Sequence, residues 1–276
     1  MKIFASVEQG SQEWKDLRTK YFTASALGDW LTEDPQFRLN KGQIRELLEA
    51  NGHACPPEKA KLEEFIGAVP FELYAANLSF TDRRNDAWEN AIEKRLGSIS
   101  FDDEPEKDTW AMKRGRELEP EARVFYENYT GQPTVKVGFC AHDSDDFGNS
   151  PDSLVLREHC RGWEIKDGEF DESIFRNGTE LKCHVARVHI RFLRRGGFRE
   201  EHALQVHASM AATGIREWHL FGYHPELPPL FEKFEWDDTT ERVLSGLMTL
   251  SEDYWRAYAE LKSMYQSQTP EGRAVA

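Results

Sequence analysis

Apolar residues recur at helical spacing near the start of the chain, at Trp14, Leu17 and Tyr21, and Ser11 stands where a cap for that helix belongs. Thr23 or Ser25 is placed to cap a second helix running to about residue 31. Ile44, Leu47 and Leu48 form another stripe, and Pro57 is set to open a helix holding Leu62, Phe65 and Ile66. Residues 71–96 carry a third stripe closed by Gly97, so the stretch from about 34 to 108 is expected to be a mostly helical insertion. A long amphipathic helix is predicted over 108–129, with Leu118, Ala122, Phe125 and Tyr129 buried and Gly131 at its end. The period then shortens. Residues 135–141 and 150–156 have the pattern of strands on either side of a turn at 143–149, and further strands are expected at 163–166, 178–183, 218–223 and 230–236. Helices over 199–213, closed by Gly214, and over about 239–266 complete the order. Helix, three or four strands, helix, two strands and helix predict an α/β core with a mixed sheet.

The 276 residues suit one large domain carrying an insertion. No apolar run approaches the roughly 20 residues needed to span a bilayer. The N-terminal residues are too few and too polar for a signal peptide, so a cytoplasmic protein with no membrane partner is expected. Cys55, Cys140, Cys160 and Cys183 show no paired spacing and are expected as reduced thiols. His202 and His207 are poorly spaced for joint ligation, so the histidines at 184, 189, 202 and 207 do not predict zinc. The net charge of −14 argues against a nucleic-acid partner only if the charge is even, and it is not. From Lys182 to Arg199 the charged residues are Lys182, Arg187, Arg191, Arg194, Arg195 and Arg199, with no acid among them. A basic lining on an acidic body suits a DNA channel, and a solvated helix face is the alternative.

Chemistry concentrates between Gly148 and Met210. Asp152 opens one apolar run, Glu180-Leu181-Lys182 sits in another, and Gln205 lies on the following helix. Side chains alternate along a strand, so Glu180 and Lys182 face the same way and Leu181 faces the core. Two carboxylates converging with an ammonium suit phosphodiester hydrolysis on Mg²⁺, where carboxylate oxygens hold a hard cation and the lysine orients water or stabilises developing charge. Glu164-Ile165-Lys166 offers the same triplet closer to Asp152. Glu180 and Lys182 are preferred because Cys183, Gly196-Gly197-Phe198 and the helix with Gln205 follow them at fitting distances. Residues 157–177 then become an inserted hairpin. Near the N-terminus, Arg18 beside a hydroxyl-capped helix start is a ready phosphate site, or an ordinary cap. Glu119, at the margin of a buried helical face, is either a solvated boundary residue or an inward ligand.

Three blocks together resemble the lambda exonuclease and YqaJ-type viral recombinase family, within the PD-(D/E)xK nucleases. They are Trp14-Lys15-Asp16-Leu17-Arg18 with Thr23-Ala24-Ser25; Gly115-Arg116-Glu117-Leu118-Glu119-Pro120-Glu121-Ala122; and Ser150-Pro151-Asp152-Ser153 with Glu180-Leu181-Lys182-Cys183, Gly196-Gly197-Phe198 and Gln205. His184 after Cys183, and Ser153 after Asp152, depart from the proline and glycine usual there. The resemblance implies a restriction-endonuclease-like core, a mixed sheet flanked by helices, with an N-terminal helical elaboration. It further implies two Mg²⁺ ions per site, replaceable by Mn²⁺. Asp152, Glu180 and the Leu181 carbonyl are the expected ligands, with Glu119 completing a second position. Lys182 and Gln205 are expected beside the attacking water, and Arg18, Ser25 and Ser150 on a DNA 5′ phosphate. Arg187, Arg191, Arg194 and Arg195 are expected along the duplex. The implied activity is 5′→3′ digestion of one strand of linear double-stranded DNA to mononucleotides, leaving 3′ overhangs. The implied partners are two further copies in a homotrimeric ring and a single-strand annealing protein, in a phage- or prophage-encoded system. An endonuclease on the same core and a catalytically silent DNA-end binder are the competing readings.

Overall fold

In a computed structural model, which describes residues 1–24, 36–37, 39–79 and 109–268, the first predicted helix forms where its cap requires. Ser11 Oγ accepts from the Trp14 N–H at 3.2 Å, and α1 spans Gln12–Lys20. The helix expected after Thr23 lies outside the described residues, as do the end of the 71–96 stripe and Gly97.

Thr32–Glu89 forms a compact unit of its own. Asn40 and Gln43 cap α2 (Lys41–Ala50) reciprocally, and Ile44 and Leu48 are fully buried with Phe65 of α3 (Leu62–Gly67). Pro57 lies in a turn ahead of α3 and does not open it; the Glu64 carboxylate instead accepts from the Lys61 N–H. After α4 (Phe71–Ala76), β4 (Leu78–Ser79) pairs antiparallel with β3 (Gln36–Phe37).

The other unit, Met1–Leu31 with Asn90–Ala276, holds two sheets. In the first, β1 (Lys2–Phe4) lies between β5 (Phe139–Ala141) and β8 (Gly168–Glu169), while β6 (Phe147–Asn149) joins β5 to β2 (Phe22–Thr23). In the second, β9 (Phe175–Lys182) runs parallel to β10 (Glu217–Gly222) and antiparallel to β7 (Ser153–Leu156), and β11 (Leu230–Glu235) forms the far edge beyond β10. β9 is buried along nearly its whole length because it is paired on both sides and covered on both faces.

The covering helices explain the site's position. α5 (Trp110–Thr130) packs Ala122 and Tyr126 against Val155, Leu181 and Phe221 on one face. It ends at Gly131, whose φ of 68° suits a residue without a Cβ. After α6 (Ala186–Arg195), α7 (Glu200–Thr213) covers the other face and buries every residue from Val206 to Thr213. A helix closed in all round must carry small and apolar residues, and Ala208, Ala211 and Ala212 supply them. α8 (Asp238–Gln268) packs on α7 and buries Val243, Leu247, Leu250 and Tyr254, the last edge-on to Phe22 at 5.0 Å between ring centroids.

Several expectations are corrected. On α5 the buried row is Ala122 and Tyr126, while Phe125 and Tyr129 are 40% and 55% exposed. Tyr126 turns inward because its hydroxyl has a buried acceptor, His219 Nδ1 at 2.6 Å; His219 donates through Nε2 to Glu217 Oε1 at 3.0 Å. Residues 163–166 form no strand, and Glu164 and Lys166 make a surface ion pair at 3.3 Å with side chains 79% and 73% exposed. The segment 157–177 is an excursion with two short 3₁₀ turns; β8 within it pairs with β1, not with a partner inside the segment as in a hairpin. Residues 147–149, expected in a turn, are β6, and the strand expected from 135 begins at 139, with Val135 making only an isolated bridge to Leu154.

Candidate active site

The pairing of β7 with β9 brings the first acid to the second. Asp152 sits one residue ahead of β7, and its Oδ2 accepts from the Leu181 N–H at 2.6 Å. In an extended strand the N–H and C=O of one residue point to the same side, so the Leu181 carbonyl shares that edge. Glu180 and Lys182 point to the opposite face of the sheet from Leu181, towards α7. There Lys182 Nζ donates to Glu180 Oε1 at 2.8 Å and to Gln205 Oε1 at 2.9 Å, and Gln205 Nε2 donates to Glu180 Oε1 at 2.8 Å. The ammonium fixes which end of the Gln205 amide faces it, since the flipped amide would set NH₂ against NH₃⁺.

The electrostatics follow from this crowding. Burial, reinforced by the charges of Glu180 and Glu119, holds the Asp152 carboxyl well above the ordinary carboxylate range. Burial opposes the charge on Lys182, but the charge and hydrogen bond of Glu180 outweigh it and leave the ammonium above its usual value. Burial pushes the neighbouring Cys183 thiol up to about 12, with Asp152 and Glu119 adding to the effect. Glu119 acts on both groups from α5, one residue before Pro120 interrupts the helical hydrogen-bond ladder, and is not among the walls of the cleft that holds Asp152.

One cavity of about 180 Å³ gathers residues from distant parts of the chain: Gln9, Trp14, Arg18, Asn149, Ser150, Asp152, Glu180 and Gln205 are among its walls. Trp14 organises one end of it. The indole Nε1–H donates to Ser150 Oγ at 2.8 Å, and the Arg18 guanidinium lies 4.5 Å from the Trp14 ring centroid. With an indole donor on its oxygen, Ser150 keeps its own proton for a ligand. Gln9 Nε2 donates to the carbonyl of Pro151 at 3.1 Å, which steadies the turn ahead of Asp152. Arg18 and Ser150 therefore come to the same cleft as Asp152, Glu180 and Gln205, and Lys182 is bonded to the last two. Ser25 lies outside the described residues. Arg187, Arg191, Arg194 and Arg195 line a separate open groove of about 650 Å³ on α6, with Ile190 between them.

Sequence reasoning gave Gln9, Trp14 and Asn149 no place in this cleft. Trp14 carried the signal of an apolar helix stripe and a place in the first resemblance block, neither of which aims its N–H at Ser150, and Gln9 carried no signal. Asn149 is 3% exposed and its amide has no hydrogen-bond partner among the described residues, which no local pattern discloses.

The donor set suits a hard divalent cation. Glu180 Oε1 is taken by Lys182 and Gln205, Asp152 Oδ2 by Leu181, and Glu119 Oε1 by Arg123 at 2.6 Å. Among the described residues no hydrogen bond reaches the second oxygen of any of the three carboxylates. Among the same residues, no three His, Cys, Asp or Glu side chains are gathered as a ready metal-holding group.

A mixed α/β core with an acid–acid–lysine cleft at the end of paired strands defines a restriction-endonuclease-like fold. Residues 74–216, more than half of the chain, match the family model of the YqaJ-like viral recombinase domain, and the chain belongs to that family. Its fold is similar to the crystal structure of an alkaline exonuclease (LHK-Exo) from Laribacter hongkongensis, at 21% identity and a TM-score of 0.63 over 94% of this chain and 100% of that one. The structure of LHK-Exo in complex with dAMP matches at 22% identity and a TM-score of 0.54, over 92% and 100% of the two chains. No curated protein sequence matches the chain.

Proposed function

We propose that the protein is a Mg²⁺-dependent exonuclease that digests one strand of linear double-stranded DNA from its 5′ end to mononucleotides, leaving 3′ overhangs for recombination by strand annealing. The observation that carries this reading is the single cleft shared by Arg18, Ser150, Asp152, Glu180 and Gln205. An internal cutter has no use for a phosphate pocket beside its acids. The dAMP bound by LHK-Exo, a mononucleotide with one phosphate, agrees with the same product class.

Arg18 offers a planar fork that fits two phosphate oxygens, and the free Ser150 proton adds a third contact. A terminal phosphate carries more charge than a bridging one, so the pocket favours ends. With that phosphate held, the first phosphodiester lies towards Asp152 and Glu180. These two, with the Leu181 carbonyl and Glu119, would hold two Mg²⁺ ions, or Mn²⁺ in their place. Such ions, when bound, stabilise negative charge on the attacking and leaving oxygens. Lys182 uses two of its three donors on Glu180 and Gln205, which leaves one for water or a phosphate oxygen. Kept protonated, it orients and donates and does not serve as the base. Gln205 holds Lys182 and Glu180 together.

The four arginines of α6 are the proposed track for the duplex. A closed ring of three copies would turn this track inward and leave the acidic surfaces outside, and a monomer in light scattering that still degrades long duplex without dissociating would count against the ring. The chain is proposed to act in the bacterial cytoplasm, encoded by a phage or prophage, beside a single-strand annealing protein. Among the described residues no helix is long and apolar enough to cross a membrane.

The test compares 5′-phosphorylated linear duplex, 5′-hydroxyl duplex and closed circles, with Mg²⁺ or EDTA. Expected are release of mononucleotides from the phosphorylated end fastest, none from circles, and none with EDTA. Asp152→Asn, Glu180→Gln and Lys182→Ala should each abolish digestion with the fold intact, and their combined loss should not exceed the largest single loss by much. Arg18→Ala should erase most of the preference for phosphorylated ends. Cleavage of circles, or digestion from the 3′ end, would put the endonuclease reading in front.

A further inference from the structure

Glu119 is held differently from the other two acids. Its Oε1 lies 2.6 Å from Arg123 Nη2, one helical turn on, and 3.8 Å from Lys136 Nζ. The Glu119 and Arg123 side chains are only 22% and 15% exposed, so this is not a solvated surface pair of small worth. Both cations hold the same oxygen, and the second oxygen meets no hydrogen bond from the described residues. Arg123 makes this contact while its own buried Nε–H meets no hydrogen-bond partner among the described residues. A guanidinium placed only to knit α5 to its surroundings would be expected to use that donor. Instead, among the described residues, its hydrogen bond is to the Glu119 carboxylate.

We propose that Arg123 is a positioning residue: by fixing Oε1 it would set the other oxygen of Glu119 for a divalent cation. This rests on the reading of Glu119 as a metal ligand. Partners that hold a ligating carboxylate from behind orient it and remove its rotational freedom, and their loss typically weakens metal affinity by about 10–100-fold. The opposite role, in which Arg123 merely neutralises Glu119 and competes with the cation, predicts tighter metal binding once the arginine is removed.

The experiment titrates Mn²⁺ alone into the DNA-free protein, by calorimetry and by the paramagnetic resonance of free Mn²⁺. Arg123→Gln should weaken binding about tenfold at one class of site, and Arg123→Lys should recover part of the loss. Glu119→Gln should weaken the same class, and the double variant should bind no worse than Glu119→Gln alone, since the two residues act as one unit. Wild-type or tighter binding in Arg123→Gln, with weakened binding in Glu119→Gln, overturns the inference and leaves Glu119 as a ligand. Unchanged binding in Glu119→Gln removes the ligand reading itself. If Arg123→Gln does not fold, Lys136→Gln decides. Lys136 is exposed and reaches the same oxygen from further away, so a smaller weakening is expected there, and none at all overturns the inference.

Discussion

Asp152 carries the electrostatic tension of the site. Burial and two neighbouring acids raise its pKa above that of an exposed aspartate, so the folded chain holds a proton there that the unfolded chain releases. A group raised in this way contributes stability at low pH, and the contribution is lost as pH rises through its folded value. The metal-free protein should therefore lose thermal stability between mildly acid and alkaline pH, and Mg²⁺ should restore most at the alkaline end. Asp152→Asn should flatten the profile and remove much of the Mg²⁺ gain. Thermal denaturation across pH, with and without Mg²⁺, checks this, and superimposable profiles for wild type and Asp152→Asn would sink it. Glu180 and Lys182 were legible because strand alternation puts them on one face, while Asp152, Glu119 and Gln205 were singled out through the order of blocks on which the family resemblance rests. Trp14 was not, because its useful act is an N–H aimed at Ser150, 136 positions away, and apolar spacing says nothing of that.

Elements were legible where they are long. α5, α7 and α8 sit close to their predicted bounds, since each offers several turns of periodic pattern and two of them a terminal glycine. β1 and β6, three residues each, are too short to show alternation, and β6 is buried at every position. The false strand at 163–166 shows the converse, a pattern of alternating apolar and charged residues with nothing to pair with. β9 is the element on which the site depends, and its tightest point is Gly178, two residues before Glu180. A Cβ there would lie 2.3 Å from Cζ3 of the fully buried Trp218. Gly178→Ala should cost about 1–3 kcal/mol through overpacking and lower activity by shifting the strand that carries Glu180 and Lys182. Gly115, within α5, has nothing within 4 Å of a built Cβ. Gly115→Ala should have the opposite sign and stabilise by about 0.5–1 kcal/mol. Urea denaturation of the two variants separates close approach from helix propensity, and equal signs would refute the packing argument.

At the scale of the whole molecule the difficulty is charge. A chain of net charge −14 must meet a polyanion, and it can do so only through a local reversal of sign. α6 supplies one: Arg187, Arg191, Arg194 and Arg195 are all exposed along an open groove, while His189 and Phe192 face the core. The basic run was legible in the sequence. That it forms a separate helix, with its arginines gathered on one groove, needed the fold. If these arginines meet phosphates, each contact releases condensed counterions, and the logarithm of the binding constant falls with the logarithm of salt by about 0.9 per phosphate neutralised. Arg191→Gln and Arg194→Gln should therefore weaken duplex binding and make the salt slope shallower by about one each. Lys166→Gln, which removes an exposed lysine already paired with Glu164, should leave the slope alone. The measurement is fluorescence anisotropy of labelled duplex over a KCl series, with EDTA present so that no strand is cut. Weaker binding at an unchanged slope would mean that the arginines support the fold or the groove but do not touch phosphate. An unchanged slope and unchanged affinity would move the duplex to another face of the molecule and leave α6 as a solvated basic helix.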